Sequence, residues 1–414
     1  MDLLRFFTAG NVDDGKSTLI GRLLLDSHAI STDIIETLTK QSKNATEKTS
    51  IDLALLTDGL RAEREQGITI DVAYKYFSTS KRKYIIADTP GHTQYTRNMF
   101  TGASTADLAI LMIDARHGVT EQTKRHTIIS AILGIPHLVI CINKMDLTNY
   151  DQKVFVKIQQ EFIDFSSPLA NFSLQFIPVS ALLGENVVHS SKNMRWYEGP
   201  SLFHYIETID LTRNKPKIPS RFQVQYVIRP QTEQLPDYRG YAGTVISGNF
   251  SIYDEVIIFP LERKIRIVKI EKNQIPVQFA AENEPVVLHF EEDFDIGRGS
   301  SIVKTSELPL YSDQLEATIC WMDNKPFVKD QKFMLQHNSL CVKAVIKEVV
   351  ALIDVNTAKE VQVGDSIELN DICKVSLKLS TSIAYDTYST NRKNGAFILI
   401  NEITNNTVAA GVLL

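Results

Sequence analysis

The chain has 414 residues, too many for one hydrophobic core, so two to four domains are expected. Its formal net charge of −5 arises from 44 basic and 49 acidic side chains without a basic block, which gives no footing for a nucleic-acid binder. Cys141, Cys320, Cys341 and Cys373 lie far apart with no C-x-x-C pair, no apolar run approaches the roughly twenty residues of a membrane span, and the opening M-D-L-L-R-F-F lacks a basic export region; a soluble, cytoplasmic protein is expected.

The first element is an apolar strand, Leu3 to Ala9. It runs into G-N-V-D-D-G-K-S-T, made of Gly10, Asn11, Val12, Asp13, Asp14, Gly15, Lys16, Ser17 and Thr18. This is a complete phosphate-binding loop between a strand and a helix. Gly10 and Gly15 permit backbone angles that let consecutive N–H groups turn inward on an anion. Lys16 supplies a charge for the outer phosphates, and Ser17 a hydroxyl for Mg²⁺. The helix that follows carries Leu19, Ile20, Leu23 and Leu24 on its apolar face.

Residues 26–66 read as a switch segment. Its polar stretch K-Q-S-K-N-A-T-E-K-T precedes a helix expected over Ser50 to Glu65, with Ser50 as cap, Asp52 in the first turn and Ile51, Leu55 and Leu56 buried. Strands follow at Asp71 to Phe77 and Lys83 to Asp88. The second ends in A-D-T-P-G-H, where Asp88 is placed to hold a metal through water and Gly91 to offer its N–H to a terminal phosphate. A strand at Leu108 to Asp114 and a helix at Thr120 to Leu133 lead to the buried strand His137 to Asn143, in which Cys141 reads as core.

That strand opens into N-K-M-D, bringing in Asn143, Lys144 and Asp146. The Asp146 carboxylate can accept hydrogen bonds from guanine N1–H and the 2-amino group; adenine has neither donor and would leave it unpaired. After a helix at Asp151 to Phe162 and a strand at Phe176 to Val179, Ser180, Ala181 and Leu182 complete a base pocket by backbone contact. Guanine is therefore favoured, GTP with Mg²⁺ is the expected ligand, and the alternation of strands and helices calls for an α/β domain with a mostly parallel sheet covered on both faces.

Past Leu211 the pattern changes at T-R-N-K-P-K-I-P-S, a linker. Short alternating strands such as F-Q-V-Q-Y-V-I and D-E-V-I-I-F-P then indicate a small β-barrel. A second linker, Glu307-Leu308-Pro309, precedes another strand-rich block expected to form a further barrel. The expected domains are 1–212, 218–305 and 310–414. Tyr238, Arg239 and Tyr241 read either as an ordinary strand edge or as interface residues.

The G-I-T-I run at Gly67 to Ile70, the D-T-P-G-H turn and the two trailing barrels resemble translational GTPases of the elongation-factor type. Within that group V-D-D-G-K-S-T-L-I-G-R-L-L, L-T-D-G-L-R-A-E-R-E-Q-G-I-T-I, W-Y-E-G-P and G-A-F-I-L-I-N resemble the GTPase subunits of bacterial ATP sulfurylases. The resemblance implies that Thr69 binds Mg²⁺ and that His92 orients the attacking water. It also implies that Val12 and Ile68 gate that histidine and that Asp13 lies near a monovalent cation. Asn11 departs from the serine usual in those subunits. The implied partner is the catalytic, ATP-pyrophosphatase-like subunit of sulfate adenylyltransferase in a hetero-oligomer. There GTP hydrolysis drives formation of adenosine 5′-phosphosulfate and pyrophosphate, a product disfavoured at equilibrium. A single nucleotide loop means that adenylyl transfer lies on the partner, and no adenylylsulfate kinase segment is expected after the third domain. An elongation-factor-type GTPase delivering aminoacyl-tRNA shares the same GTP residues and is the alternative.

Overall fold

The structure, a computed structural model, describes residues 2–30, 53, 69, 71–169, 172–211, 217–230, 232–233, 238–362 and 366–414. The helix expected over Ser50 to Glu65 and the gate residue Ile68 lie outside the described residues. Two compact units are distinguished: residues 1–213 with 354–359, and residues 214–353 with 360–414.

The first unit contains strands β1 (Asp2–Gly10), β2 (Ala73–Ser78), β3 (Arg82–Asp88), β4 (Leu108–Asp114), β5 (His137–Asn143) and β6 (Ser173–Pro178). They form one sheet in the order β2-β3-β1-β4-β5-β6, parallel except for β2, which pairs antiparallel with β3. Every residue of β4 is buried, as a central parallel strand covered on both faces requires. β6 begins at Ser173, three residues before the expected start at Phe176. Its polar opening S-L-Q hides the strand from a search for apolar runs. Cys141 is fully buried in β5, and burial pushes its thiol far above the ordinary range, so it is inert core.

The helices are α1 (Lys16–Asp26), α2 (Thr96–Ala103), α3 (Glu121–Ile132), α4 (Gln152–Ser166) and α5 (Leu202–Thr208). The Thr120, Asp151 and Ser201 side chains cap the last three, accepting from the N–H groups of Thr123, Lys153 and His204. α1 buries Leu19, Ile20, Leu23 and Leu24 as expected. Because β1 is followed on one side by β3 and on the other by β4, the strand order reverses at β1. Its carboxyl end therefore opens the crevice where ligands of such sheets bind.

In the second unit six strands close into a barrel: β7 (Arg221–Ile228), β8 (Gly240–Ser247), β10 (Glu255–Phe259), β11 (Arg263–Lys272), β14 (Pro285–Phe290) and β15 (Ser301–Lys304). Short strands β9 (Asn249–Ser251) and β13 (Phe279–Ala281) pair with each other, and β12 (Ile275–Val277) extends β11. A second ring of six contains β16 (Leu310–Trp321), β17 (Lys332–His337), β18 (Leu340–Ile353), β20 (Ile372–Tyr385), β21 (Ala396–Asn401) and β22 (Thr407–Leu413), with β19 (Glu360–Val361) added to β18. Closure removes the free edges that open sheets expose.

The edge-or-interface reading of Tyr241 is corrected here. β8 is paired on both sides, by β7 and β14, and Tyr241 is fully buried with its hydroxyl donating to the Phe294 carbonyl at 2.9 Å. An aromatic with a satisfied polar tip is a core residue, and the alternation of β8 alone did not say which face was inside.

Candidate nucleotide site

The loop at the end of β1 is closed by its own side chains. Asp14 Oδ2 accepts from the Asn11 N–H at 2.6 Å, and Asn11 Oδ1 accepts from the Val12 N–H at 2.9 Å. Gly15 sits at φ 92° immediately before α1, and a Cβ there would lie 2.5 Å from Asn143 Nδ2, so only glycine fits both the angle and the space. Burial pushes the Asp14 carboxyl above its ordinary value, against the Asn11 hydrogen bond and the Lys16 charge. Asp14 is thus a loop-shaping residue within the predicted phosphate loop, whereas Asp13, at φ 67°, stands exposed on the rim.

Lys16 is buried, and its ammonium donates to the carbonyls of Gly10 at 3.1 Å and Asn11 at 2.8 Å. Burial lowers its pKa, while Asp14, Asp88 and Asp13 act to raise it. Ser17 and Thr18, in the first turn of α1, are half-buried. The α1 N-terminus and the Lys16 charge together favour an anion at this end of β1.

The register of β1 on β3 places Thr8 opposite Asp88, and the Thr8 hydroxyl donates to Asp88 Oδ1 at 3.1 Å. The Thr89 hydroxyl in turn donates to the Thr8 carbonyl at 2.6 Å, fixing the turn. Gly91 approaches the phosphate loop so closely that a Cβ would press on the Lys16 ammonium and lie 2.6 Å from the Gly10 carbonyl oxygen. His92 is half-buried, and its Nδ1 accepts from the Gln94 N–H at 3.3 Å, which in the neutral ring leaves the proton on Nε2. Thr69 is half-buried; its neighbours Ile68 and Ile70 lie outside the described residues. The hydroxyls of Ser17 and Thr69 and the Asp88 carboxylate are hard oxygen donors, the chemistry that would suit Mg²⁺.

At the carboxyl ends of β5 and β6, Asn143 is the hub. Its Nδ2 donates to the Asp14 carbonyl at 2.7 Å, and its Oδ1 accepts from the Ala181 N–H at 2.9 Å, so one buried amide ties the phosphate loop to the S-A-L turn. Ser180 Oγ donates to Asp146 Oδ1 at 2.7 Å, fixing that carboxylate. Lys144, at φ 61°, places its ammonium 3.0 Å from Asp114 Oδ2. Burial works against ionisation of Asp114, but the hydrogen bonds from Arg116 and Lys144 outweigh it and hold the carboxyl well below the usual range. The Arg22 guanidinium donates to the Ala181 carbonyl at 3.3 Å and to that of Leu182, whose side chain is exposed.

Sequence reasoning missed Thr8, Arg22, Asp114 and Arg116. Asp114 carried a signal, since it ends an apolar strand as Asp88 does; the others speak only through contacts distant in sequence.

A family model described as the elongation factor Tu GTP binding domain matches residues 1–230, and one described as GTP-eEF1A C-terminal domain-like matches residues 314–414. Sulfate adenylyltransferase subunit 1 of Alteromonas mediterranea is 45% identical over 414 residues, covering 100% of this chain and 87% of that protein. The chain belongs to the sulfate adenylyltransferase subunit 1 family. Another relative of this subunit 1 chain, the bifunctional enzyme CysN/CysC of Mycobacterium tuberculosis, is 47% identical over 413 residues, 100% of the chain and 67% of that protein. Among solved structures, the Ski7 GTPase-like domain of S. cerevisiae bound to GTP has a TM-score of 0.56 at 19% identity, covering 100% and 97% of the two chains. That likeness shows the shared fold, a GTPase α/β domain followed by two β-barrels. Among the described residues no helix is long and apolar enough to cross a membrane.

Proposed function

We propose that this subunit binds GTP·Mg²⁺ and couples its hydrolysis to formation of adenosine 5′-phosphosulfate and pyrophosphate from ATP and sulfate, with adenylyl transfer on a catalytic partner subunit. The observation that carries the GTP half is the buried Asn143 amide, which joins the phosphate loop at Asp14 to the base turn at Ala181 beside Asp146. What supports the coupling half is the identity to sulfate adenylyltransferase subunit 1 along the whole chain, which an elongation-factor reading does not share. The three domains are taken as 1–212, 218–305 and 310–414.

In this reading the backbone N–H groups of Asp13 to Thr18 and the Lys16 ammonium hold the outer phosphates, and Asp146 with the Ser180–Leu182 turn holds guanine. Mg²⁺, held by Ser17, Thr69 and, through water, Asp88, would neutralise charge on the phosphates. The Gly91 N–H meets the terminal phosphate. His92, with Nε2–H as its donor, orients the attacking water instead of taking its proton, since phosphoryl transfer needs chiefly positioning and charge neutralisation. Asp13 on the exposed rim is the candidate for a monovalent cation.

Calorimetric titration with GTP, GDP and ATP tests the nucleotide assignment: guanine nucleotides should bind and ATP should not. Equal affinity for ATP would remove the base-reading role of Asp146. Retention of aminoacyl-tRNA on a filter in the presence of GTP would instead favour the elongation-factor alternative.

A further inference from the structure

The W-Y-E-G-P stretch at residues 196–200 is singled out by the sequence but takes no part in the GTP chemistry. Its position is informative. The Trp196 indole N–H donates to the Tyr150 carbonyl at 2.9 Å, and the indole ring packs on Phe155 of α4 with centroids 5.3 Å apart. The next residue turns the other way. The Tyr197 hydroxyl donates to the Phe176 carbonyl at 3.1 Å and accepts from Gln175 Nε2 at 3.3 Å, both on β6, the strand that delivers Ser180 and Ala181.

The loop thus grips both base-reading segments. Between Asp146 and α4 the backbone needs such a grip. Asn149 and Tyr150 occupy consecutive left-handed conformations at φ 54° and 56°, unfavourable for side chains and tolerated where surrounding contacts over-determine them. The Tyr150 N–H closes the turn on the Met145 carbonyl at 2.8 Å, so the carbonyl that Trp196 holds belongs to the turn that carries Asp146. A second tie runs alongside. Ser180 and Glu185 exchange backbone hydrogen bonds at 3.1 Å, and Glu185 Oε1 accepts from Asn193 Nδ2 at 2.7 Å, while the Asn193 side chain also interacts with the Tyr150 hydroxyl.

We infer that the loop of residues 185–197 is a brace that fixes Asp146 relative to the Ser180–Leu182 turn, making Trp196 and Asn193 positioning residues for guanine selectivity. The inference rests on Asp146 reading the base, as proposed above. Guanine offers Asp146 two donors, N1–H and the 2-amino group, and both bonds need the carboxylate at one angle. Hypoxanthine offers only N1–H and tolerates a looser carboxylate.

The test uses the full-length chain with Trp196→Phe, which keeps the ring and deletes the N–H, and with Asn193→Ala, measuring dissociation constants for GDP and IDP. A lost hydrogen bond of this kind is worth about three- to tenfold. GDP binding should weaken by about that factor, IDP binding by less, so the GDP-over-IDP preference contracts. General loosening of the fold would weaken both nucleotides equally, and an unchanged ratio in both variants would overturn the brace. Asp146→Asn serves as the reference. If it moves preference to XDP while the brace variants leave the GDP/IDP ratio intact, the brace alone fails; if it does not, the base-reading role fails and the brace falls with it.

Discussion

Lowering the pH from 7 to 5 should destabilise the first unit through one side chain, His126. This histidine is fully buried on α3, with Nε2 2.9 Å from Gln122 Nε2 and no partner for Nδ1 among the described residues. With the Gln122 amide donating, Nε2 must accept, which only a neutral ring can do. Burial, reinforced by the charges of Lys16 and Arg125, pushes its pKa from 6.5 down to about 3. Below 6.5 the unfolded chain therefore takes up a proton that the folded chain refuses. Stability is full above that value and falls as pH drops toward the folded one. Each pH unit in that window costs about 1.4 kcal/mol, so about 2 kcal/mol is lost by pH 5. Urea unfolding at both pH values, followed by pulse-labelled hydrogen exchange of peptides from β1 to α3, measures this in the natural chain and in His126→Gln. The stability difference between the two should shift by about 2 kcal/mol in favour of the variant at pH 5. A difference that stays constant from pH 7 to 5 would refute a neutral, buried His126.

Asp146→Asn should cost about 100-fold in GTP affinity and bring in XTP, because one acceptor and the charge are lost and the amide NH2 that opposes guanine's 2-amino group can donate to the xanthine 2-oxo group; competition binding with the two nucleotides reads this directly. For Asn143→Ala, the Asp14 carbonyl and the Ala181 N–H lose their common partner. Two buried bonds at about 1 kcal/mol each predict a loss of about 30-fold in nucleotide affinity by titration, and full retention would show that the two loops stand independently. In His92→Ala, GTP should still bind while single-turnover hydrolysis slows by about 100-fold or more; undiminished hydrolysis would remove His92 from the mechanism.

The phosphate loop, the Asp88 turn and N-K-M-D were legible because each is a local pattern at the end of an apolar strand, where spacing along the chain is also spacing in the fold. What sequence could not show are groups whose meaning depends on distant partners. Asn143 was placed in the base pocket, but its role as a bridge requires Asp14 and Ala181 to lie on opposite sides of it. Thr8 is a strand threonine until the β1–β3 register sets it against Asp88. His126 lies on a helix whose buried face holds Gln122, Thr123, Thr127 and Ser130, so hydropathy alone could not reveal its burial. In the barrels, alternation announced strands, but closure came from the β10–β11 and β17–β18 pairings, and Tyr241 was misjudged because a period of two does not name its inner face.

Co-expression with an ATP-pyrophosphatase-like subunit, followed by an assay of adenosine 5′-phosphosulfate from ATP and sulfate with and without GTP, tests the coupling most directly. Phosphosulfate accumulation should rise with GTP in step with its hydrolysis, and should be lost in Lys16→Ala. Phosphosulfate formation indifferent to GTP, in a complex that contains this chain, would contradict it.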